Sequence, residues 1–490
     1  MTDVWSKEER SALGRLSQKL HATKPENTAK EGYYRGETPV KNLGIAVPEN
    51  LIGVAPILGW PSTVVDSVAE RIDFLGFSSR GDHAEVLDEA SRISRLPLEF
   101  AKAVTDSLIY GVGFLEFLWE EKPGGKLRPV VTAVDPLSAT FEWDRKGKAV
   151  EAGMVTRHSA KGKVLRTLHL PDATVWEEPQ ETGPPVVRRF DHGWGIAGLV
   201  PILNRVRSGQ ARGHSEITPA IRYATDHGVR TMLGLEYNRE IYTAPKRHVE
   251  DAYPEAVGMS EDADPRSNRK AAWNASMSSY TVFPPTEIED ENGDIKYVTP
   301  KVGQFSASPP DPYISELTML TKVIAAESGI PVEYLGFLTD NPSSADAIRQ
   351  KEGRLVKRAE LKQRQLSEVL TRMVAPLLWN ITLGYPMPDE LRADLDALFR
   401  NAATPTQAAM ADAGQKWVAA KMMPPRSSVL YDLMGLTPEQ QRRLEADWAR
   451  DTSRALVGDL QARAQEARDS SSTVDELSST TEETDWGDSG

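Results

Sequence analysis

Apolar residues recur at helical spacing along much of the chain. Leu13, Leu16 and Leu20 do so near the start, and a later run of apolar positions ends at Gly111 and Gly113. A helix beginning near residue 215 carries Pro219 in its first turn, where a missing N–H costs nothing. The pattern predicts helices over residues 5–20, 64–72, 83–110, 215–242, 312–329 and 344–383, and further helices with proline breaks across 388–460.

The period changes to two after Phe114. Alternating segments are separated by Pro-Gly-Gly (123–125), Arg-Lys-Gly (145–147) and Ala-Lys-Gly (160–162). Such turns between alternating segments are typical of antiparallel hairpins. Strands are predicted over 114–119, 128–134, 139–143, 149–157, 163–170, 173–177 and 199–206.

Residues 245–311 have a mixed pattern. A short helix is compatible with 251–259, the polar stretch 260–275 is predicted to be a loop, and a hairpin is predicted over 279–299. The residues predicted to form the hairpin tip are Glu291, Asn292, Gly293 and Asp294, because Asn-Gly is a strong two-residue turn signal.

The helix over 344–383 combines an apolar seam with a basic surplus. The apolar residues of the seam are three, four or seven positions apart. Between residues 349 and 372 the helix contains eight basic residues and three acidic ones. These charges fit either a solvated face with i,i+4 ion pairs or a functional basic face. Pro376 is predicted to kink or end the helix near Arg372 or Met373. The seam residues are Leu355, Ala359, Leu366, Leu370, Met373 and Leu377.

Composition restricts the classes of function. The chain has 490 residues, a net charge of −13 and no cysteine, so two to four domains are expected and thiolate or disulfide chemistry is excluded. Seven acidic residues and no basic ones lie in 469–490; without them the net charge would be −6. The segment after 463 is expected to be disordered. No apolar signal region or membrane-length run is visible, so we expect a soluble, unprocessed chain.

Motifs that usually carry chemistry are weak here. Residues 193–198 spell G-x-G-x-x-G, but an apolar segment containing a proline follows, so a turn is expected in place of a dinucleotide site. The acidic run 287–294 resembles a calcium loop but turns too early for one. The chain contains no H-E-x-x-H, G-x-S-x-G or P-loop motif. We therefore predict no enzyme, no cofactor and no metal site, although a site assembled from distant residues stays possible.

Several segments, in this order, resemble phage portal proteins of long-tailed, double-stranded DNA phages. They are Tyr33-Tyr34-Arg35-Gly36, residues 60–66, Gly76-Phe77, residues 110–114, residues 324–331 and residues 341–348. The resemblance implies an α+β, portal-like fold with an α+β wing, a two-helix stem, a small α/β clip insert, a long kinked helix and a helical crown. The implied divisions are wing 1–213, first stem helix 214–244, clip 245–311, second stem helix 312–332, tunnel loop 333–345, long kinked helix 344–384, crown 385–462 and disordered acidic tail 463–490.

The resemblance also implies a function without catalysis. A ring, usually dodecameric, would stand at one capsid vertex of the virion after assembly in the host cytoplasm. It would be the conduit for double-stranded DNA in packaging and ejection. It would dock terminase and head–tail adaptors and meet the major capsid and scaffolding proteins, with no membrane partner. The clip hairpin tip is the expected docking point.

A conduit must not grip DNA, because each neutralised phosphate adds affinity through counterion release. We expect Asn341, Ser343 and Ser344 to approach DNA in the tunnel loop, with Arg349, Lys351 and Arg354 as neighbouring phosphate-facing candidates. Intersubunit salt bridges are the alternative role for these cations. Ring closure needs two different patches on each subunit, and the seam at 355–377 and the helix over 216–241 are the candidates. A soluble α+β enzyme and a protein-only assembly scaffold remain alternative readings.

Overall fold

The computed structural model of the chain contains thirteen α-helices and fourteen strands in its described part. It describes residues 5–37, 56–79, 84–125, 127–146, 149–159, 162–180, 185–243, 247–251, 259–260, 264–277, 285–289, 292–304, 306, 309–336, 345–403 and 407–479. The helices are α1 Lys7–Arg35, α2 Trp60–Ala69, α3 Ala84–Ile93, α4 Leu96–Tyr110, α5 Pro219–Thr243, α6 Pro265–Met277, α7 Asp311–Ser328, α8 Ala345–Val369, α9 Ala375–Leu383, α10 Asp389–Asp394, α11 Gln407–Ala419, α12 Ser428–Leu433 and α13 Pro438–Ser479. The strands are β1 Phe74–Ser78, β2 Val112–Glu121, β3 Leu127–Val134, β4 Ala139–Trp143, β5 Val150–His158, β6 Val164–His169, β7 Ala173–Glu178, β8 Val186–Asp191, β9 Leu199–Leu203, β10 Arg247–Glu250, β11 Thr286–Glu289, β12 Ile295–Val298, β13 Lys301–Gln304 and β14 Asp396–Phe399.

Residue contacts divide the chain into two compact units. The first comprises Met1–Lys24, Val68–Ser215 and Val356–Gly490, and the second comprises Pro25–Ser67 and Glu216–Leu355. Among the described residues, no helix has both the length and the apolar character needed to cross a bilayer.

Two antiparallel sheets form the centre of the first unit. One is a five-stranded meander in the order β4-β5-β6-β7-β8, and the other has the order β3-β2-β9. Phe114, Phe141, Val155 and Leu199, at most 1% exposed, belong to one apolar cluster contributed by both sheets. The predicted antiparallel strands are confirmed, with bounds that differ by a few residues.

Three strands of this unit were not predicted from the sequence pattern. β8 pairs with β7 and extends the meander, and β1 pairs with β14 across more than 300 residues of chain. β14 lies inside residues 388–460, so the expectation of helices alone there is wrong. These strands are four to six residues long, and a run that short shows period two too few times to be recognised.

The single helix predicted over 83–110 is two helices. The chain breaks at Arg95, which has a left-handed φ of 55°, and α4 then begins with Pro97 in its first turn. Pro97 has no N–H for the preceding turn, so a continuous helix would lose a hydrogen bond and crowd the proline ring.

The turn from α4 into β2 requires its two glycines. Gly111 has a φ of 94° and donates its N–H to the Ser107 carbonyl at 2.9 Å, which ends the helix. A Cβ at Gly113 would lie 1.8 Å from the carbonyl oxygen of Ala103. The segment 110–114 therefore needs its two glycines, because the strand leaves the helix in direct backbone contact with it.

The long helix continues past Pro376 with a local change of winding. Leu370–Val374 form a π-helical turn, in which the N–H of Ala375 donates to the Leu370 carbonyl. The wider turn accommodates the proline, which cannot donate to the carbonyl of Arg372. The predicted disturbance is confirmed at this position, and the helix resumes as α9 instead of ending.

The apolar seam of this helix lies inside the subunit. Leu355, Leu370 and Leu377 have no exposed surface, and Ala359 and Leu366 are also buried. The expectation that this seam closes a ring between subunits is therefore wrong, because these side chains already fill the core of the chain. Lys362, also buried, donates to the side chain of Asn204.

In the second unit, α5 packs against α7, and their role as the two stem helices stays a prediction. The tyrosine pair near the start of the chain is explained here. The Tyr33 hydroxyl donates to the Asp226 carboxylate at 2.8 Å, and the Tyr34 hydroxyl donates to Asp66 at 2.9 Å. Gly36 follows with a φ of 71°, which favours glycine.

Residues 264–304 contain more regular structure than expected. The hairpin predicted over 279–299 is confirmed by the antiparallel pair β11 and β12. A second antiparallel pair joins β10 to β13, the strand that follows β12 in sequence. The expectation that 260–275 is a loop is wrong, because α6 occupies Pro265–Met277; it begins at a proline, whose fixed φ suits a first helical turn. The helix predicted over 251–259 lies almost wholly outside the described residues.

α13 extends to Ser479, so the prediction of disorder from residue 463 is wrong for the part up to 479. Ala, Arg, Gln and Glu are frequent in 455–468, and their strong helix propensity sustains the helix without packing. Each residue from Asp451 to Gln465 is exposed. Residues 480–490 lie outside the described part of the chain.

Candidate functional site

The residues on either side of the predicted tunnel loop belong to well-formed elements. α7 ends at Gly329, whose φ is 73° and whose N–H donates to the Ala325 carbonyl at 2.8 Å. A 3-10 turn over Val332–Leu335 follows and ends at Gly336, which has a φ of 93°. α8 then begins at Ala345. Asn341, Ser343 and Ser344 lie between these ends, outside the described residues.

Side chains of α8 tie its first turns to the 3-10 turn. Lys351 forms an ion pair with Glu333, and the Tyr334 hydroxyl donates to Glu352 Oε1 at 2.6 Å. The hydrogen bond from Lys351 holds the pKa of the Glu333 carboxyl below its ordinary value, and the half-exposed pair is screened by water. Two polar contacts thus join the same pair of segments.

Arg354 makes a third contact. Its Nη1 donates to the carbonyl oxygen of Ala326, near the end of α7, at 2.9 Å. This contact and the Lys351 ion pair lie within one chain, so both cations already help to hold α8 beside the end of α7. Arg349, Lys351 and Arg354 are all exposed, and their approach to phosphate stays a prediction.

Two further cations of α8 have no ion pair in the described part of the chain. Lys357 and Arg364 are exposed and seven residues apart, which places them on one face of the helix. The sequence offers Glu360–Arg364 and Glu368–Arg372 as i,i+4 pairs; Glu368 and Arg372 form theirs at 2.6 Å, whereas Arg364 has no ion pair in the described part of the chain. The solvated-face reading is therefore confirmed for that pair.

The predicted docking tip is partly described. Asn292, Gly293 and Asp294 are exposed in the turn between β11 and β12, and Gly293 has a φ of 84°. Glu291 lies outside the described residues. The strand that follows exposes Ile295 and Tyr297, at 60% and 67%. Among described residues, no group of three or more acidic or histidine side chains could hold a metal ion.

A buried charged network in the first unit was missed by sequence reasoning. Glu116 on β2 and His169 on β6 have no exposed surface, and His169 Nε2 lies 3.0 Å from Glu116 Oε1. Arg157 on β5 forms an ion pair with the other oxygen of Glu116. Burial alone raises the pKa of the Glu116 carboxyl, but hydrogen bonds from His169 and Arg157 outweigh it and lower the pKa below its ordinary value. These contacts hold an ionised carboxylate between the two sheets.

The glycine motif at 193–198 is a turn, as predicted. Gly193 and Gly195 have φ values of 63° and 68°, and the strand β9 follows where a dinucleotide site would need a helix. A Cβ at Gly198 would lie 2.9 Å from His169 Nδ1, so this glycine makes room for the buried histidine. Its role is packing, with no phosphate-binding geometry.

Nearby, His192 stacks on Trp194 with ring centroids 3.7 Å apart. Burial lowers the pKa of His192 to about 4, so the ring is neutral at pH 7. His192 thus belongs to a packed aromatic cluster that also contains Trp119, Trp176 and Phe190.

The described residues thus define a mixed helix-and-sheet subunit. The chain is 30% identical over 402 residues to the portal protein of Mycobacterium phage D29, covering 78% of this chain and 77% of that protein. It is 28% identical over 396 residues to the portal protein of Mycobacterium phage L5, with the same coverage. The chain belongs to the bacteriophage portal protein family.

Two other comparisons add little. No protein-family model matches the chain. One solved structure, described as the neck of a native GTA particle computed with C12 symmetry, aligns with a TM-score of 0.41 and 15% identity. It covers 80% of this chain and 95% of that chain.

Proposed function

We propose that the chain assembles into a ring of twelve subunits at one capsid vertex and conducts double-stranded DNA during packaging and ejection. The observation that carries this proposal is the 30% identity to a phage portal protein over 402 residues. The ring would also be the platform on which terminase and head–tail adaptors dock, with capsid and scaffolding proteins around it and no catalytic step.

The anchored ends of residues 337–344 support a DNA-facing loop. Lys351 and Arg354 tie α8 to the 3-10 turn and to the end of α7, so both ends of the segment start from fixed positions. Asn341, Ser343 and Ser344 are neutral, so they can hydrogen-bond to phosphate without releasing counterions. Weak contacts of this kind suit a DNA that must slide.

The charge distribution supports the same function. The chain carries a net charge of −13, and Lys351 is paired within the subunit. Lys357 and Arg364, two exposed cations of α8 that have no ion pair in the described part of the chain, lie on one helix face. A few cations in an acidic ring would guide the phosphate backbone while keeping its release fast.

The stem helices supply the patches for ring closure. α5 exposes Tyr223 at 63%, and α7 exposes Ile314, Met319 and Val323 at 45–52%. A ring needs a heterologous contact in which one patch meets a different patch on the next subunit. Large apolar side chains on two different helices meet that requirement. The tip at Asn292–Asp294 would remain free for terminase or adaptor.

The test is DNA retention by particles that carry the triple variant Asn341→Ala, Ser343→Ala and Ser344→Ala. We expect normal rings and normal capsids but a changed packaged DNA length or increased DNA loss. Thr132→Ala, an exposed polar residue on β3, is the control and should behave as wild type. Normal DNA retention by the triple variant would instead favour a protein-only scaffold role for this loop.

A further inference from the structure

We propose that a pocket between α1 and the strands β5 and β6 binds the acidic segment 482–488 of this chain, with Trp486 as its apolar anchor. The pocket has a volume of about 430 Å³, within the usual range for ligand-binding pockets. This inference does not depend on ring formation, so its failure would leave the proposed portal function untouched.

One wall of the pocket is a sheet face that changes from apolar to basic. Met154, Thr156 and His158 alternate along β5, so their side chains share one face. Across β6, Thr156 pairs with Arg166 and His158 pairs with Val164. Met154 is buried beneath α1, whereas Val164 is 51% exposed on the same face. The helix therefore covers the inner end of this face and leaves the outer end open.

The other wall is the α1 segment that extends past the covered core. Ser17 donates to the Met154 sulfur at 3.6 Å, which closes the inner end of the pocket. The open end is lined by the next residues along α1 that reach the pocket, which are Leu20, His21 and Lys24. The pocket thus offers apolar contact inside and basic groups at its mouth.

The charge of the pocket is opposite to that of the chain. Its lining contains Lys24, Arg166, His21 and His158 and no Asp or Glu, in a protein of net charge −13. Arg166 is neutralised by Glu177 at 2.7 Å. Lys24 is exposed and has no ion pair in the described part of the chain. An uncompensated cation beside an apolar floor favours a ligand with both carboxylates and an apolar group.

Residues 482–488 of this chain have that composition. In the sequence, Glu482, Glu483 and Asp485 precede Trp486 and Asp488 follows it, and no basic residue follows Arg468. An indole presents a large rigid apolar surface at low entropic cost, which makes tryptophan an effective anchor in a pocket. The four carboxylates would then lie near Lys24 and the histidines at the mouth.

The experiment measures binding of a fluorescein-labelled peptide with the sequence of residues 480–490 by anisotropy. The receptor is the full chain carrying Trp486→Ala, which removes the competing anchor. We expect saturable binding that weakens with salt, and weaker binding to the wild-type chain, whose own segment competes. Lys24→Glu in the Trp486→Ala background should weaken binding about five- to tenfold, because it replaces an attraction with a repulsion.

Lys122→Glu in the same background is the matched control, since Lys122 is an exposed lysine in the β2–β3 turn, outside the pocket lining. It should leave peptide affinity unchanged. Equal weakening by Lys24→Glu and Lys122→Glu would show general electrostatic attraction and overturn the proposal. Absence of saturable binding, or equal binding to the wild-type and Trp486→Ala chains, would also overturn it.

Discussion

The sharpest prediction concerns the buried carboxylate of Glu116 and its contribution to the free energy of unfolding. Arg157→Met removes the ion pair with Glu116 and leaves a carboxylate with no exposed surface, held by His169 alone. Breaking a buried ion pair by removing one partner costs about 3–5 kcal/mol. Because the Arg157 side chain is 43% exposed, we expect the lower end, about 3 kcal/mol.

Glu116→Gln should cost less than Arg157→Met. The amide keeps the shape of the side chain, and Arg157 can turn towards water once the charge is gone. We expect a loss of about 1–2 kcal/mol, and the double variant should be no less stable than Arg157→Met alone. The two substitutions should therefore couple by more than about 1 kcal/mol.

Urea unfolding followed by tryptophan fluorescence measures these differences, because Trp119 lies on the same strand as Glu116. Arg128→Met is the matched control. Its partner Glu120 also lies on β2, but both side chains are exposed and 3.8 Å apart, so the loss should stay below about 1 kcal/mol. Additive losses in the double variant, or an Arg157→Met loss equal to that of Arg128→Met, would refute the reasoning.

Four other predictions follow from particular contacts. Since the pKa of Glu116 is lowered on folding, its stabilisation is present above the ordinary value of 4.5 and is lost as pH falls through the folded pKa, so wild type and Glu116→Gln should converge in stability in acid, as urea midpoints across pH would show. Gly113→Ala should destabilise by about 3 kcal/mol or prevent folding because its Cβ meets the Ala103 carbonyl, whereas Gly14→Ala, in open space on α1, should not; soluble yield and thermal midpoint test this. Tyr33→Phe should cost about 1 kcal/mol by removing the hydrogen bond to Asp226, and a loss no larger than that of Tyr237→Phe, at an exposed tyrosine, would contradict it. Lys351→Met should increase hydrogen exchange in residues 332–335 while global stability changes by less than about 1 kcal/mol, and unchanged exchange would argue against the tie.

Local signals predicted much of the fold. Strands β2 to β7 follow from period two and from glycine turns, and the ends of α4 and α7 follow from Gly111 and Gly329. These features depend on residues close in sequence, so the pattern contains the information. β1 and β14 could not be predicted in this way, because each is recognisable as a strand only next to its partner, which is more than 300 residues away along the chain.

The side-chain contacts of the candidate sites could not be predicted from the sequence, for a related reason. Glu116, Arg157 and His169 come from three strands, and their meeting depends on the register of two sheets. In the sequence, Glu116 looks like an ordinary polar position in an alternating strand. The basic surplus of α8 was visible, but only the position of Glu333 shows that Lys351 is an intrachain tie. The burial of Leu370 and Leu377 likewise decides that the seam is core.

The central claim is that this chain closes into a ring around a channel. Mass photometry of the purified full-length chain, with negative-stain images of the same sample, tests it most directly. We predict a particle of about twelve times the 54.1 kDa chain mass, with a central hole. A single species at the mass of one chain, unchanged across protein concentration, salt and addition of scaffolding protein, would contradict the claim.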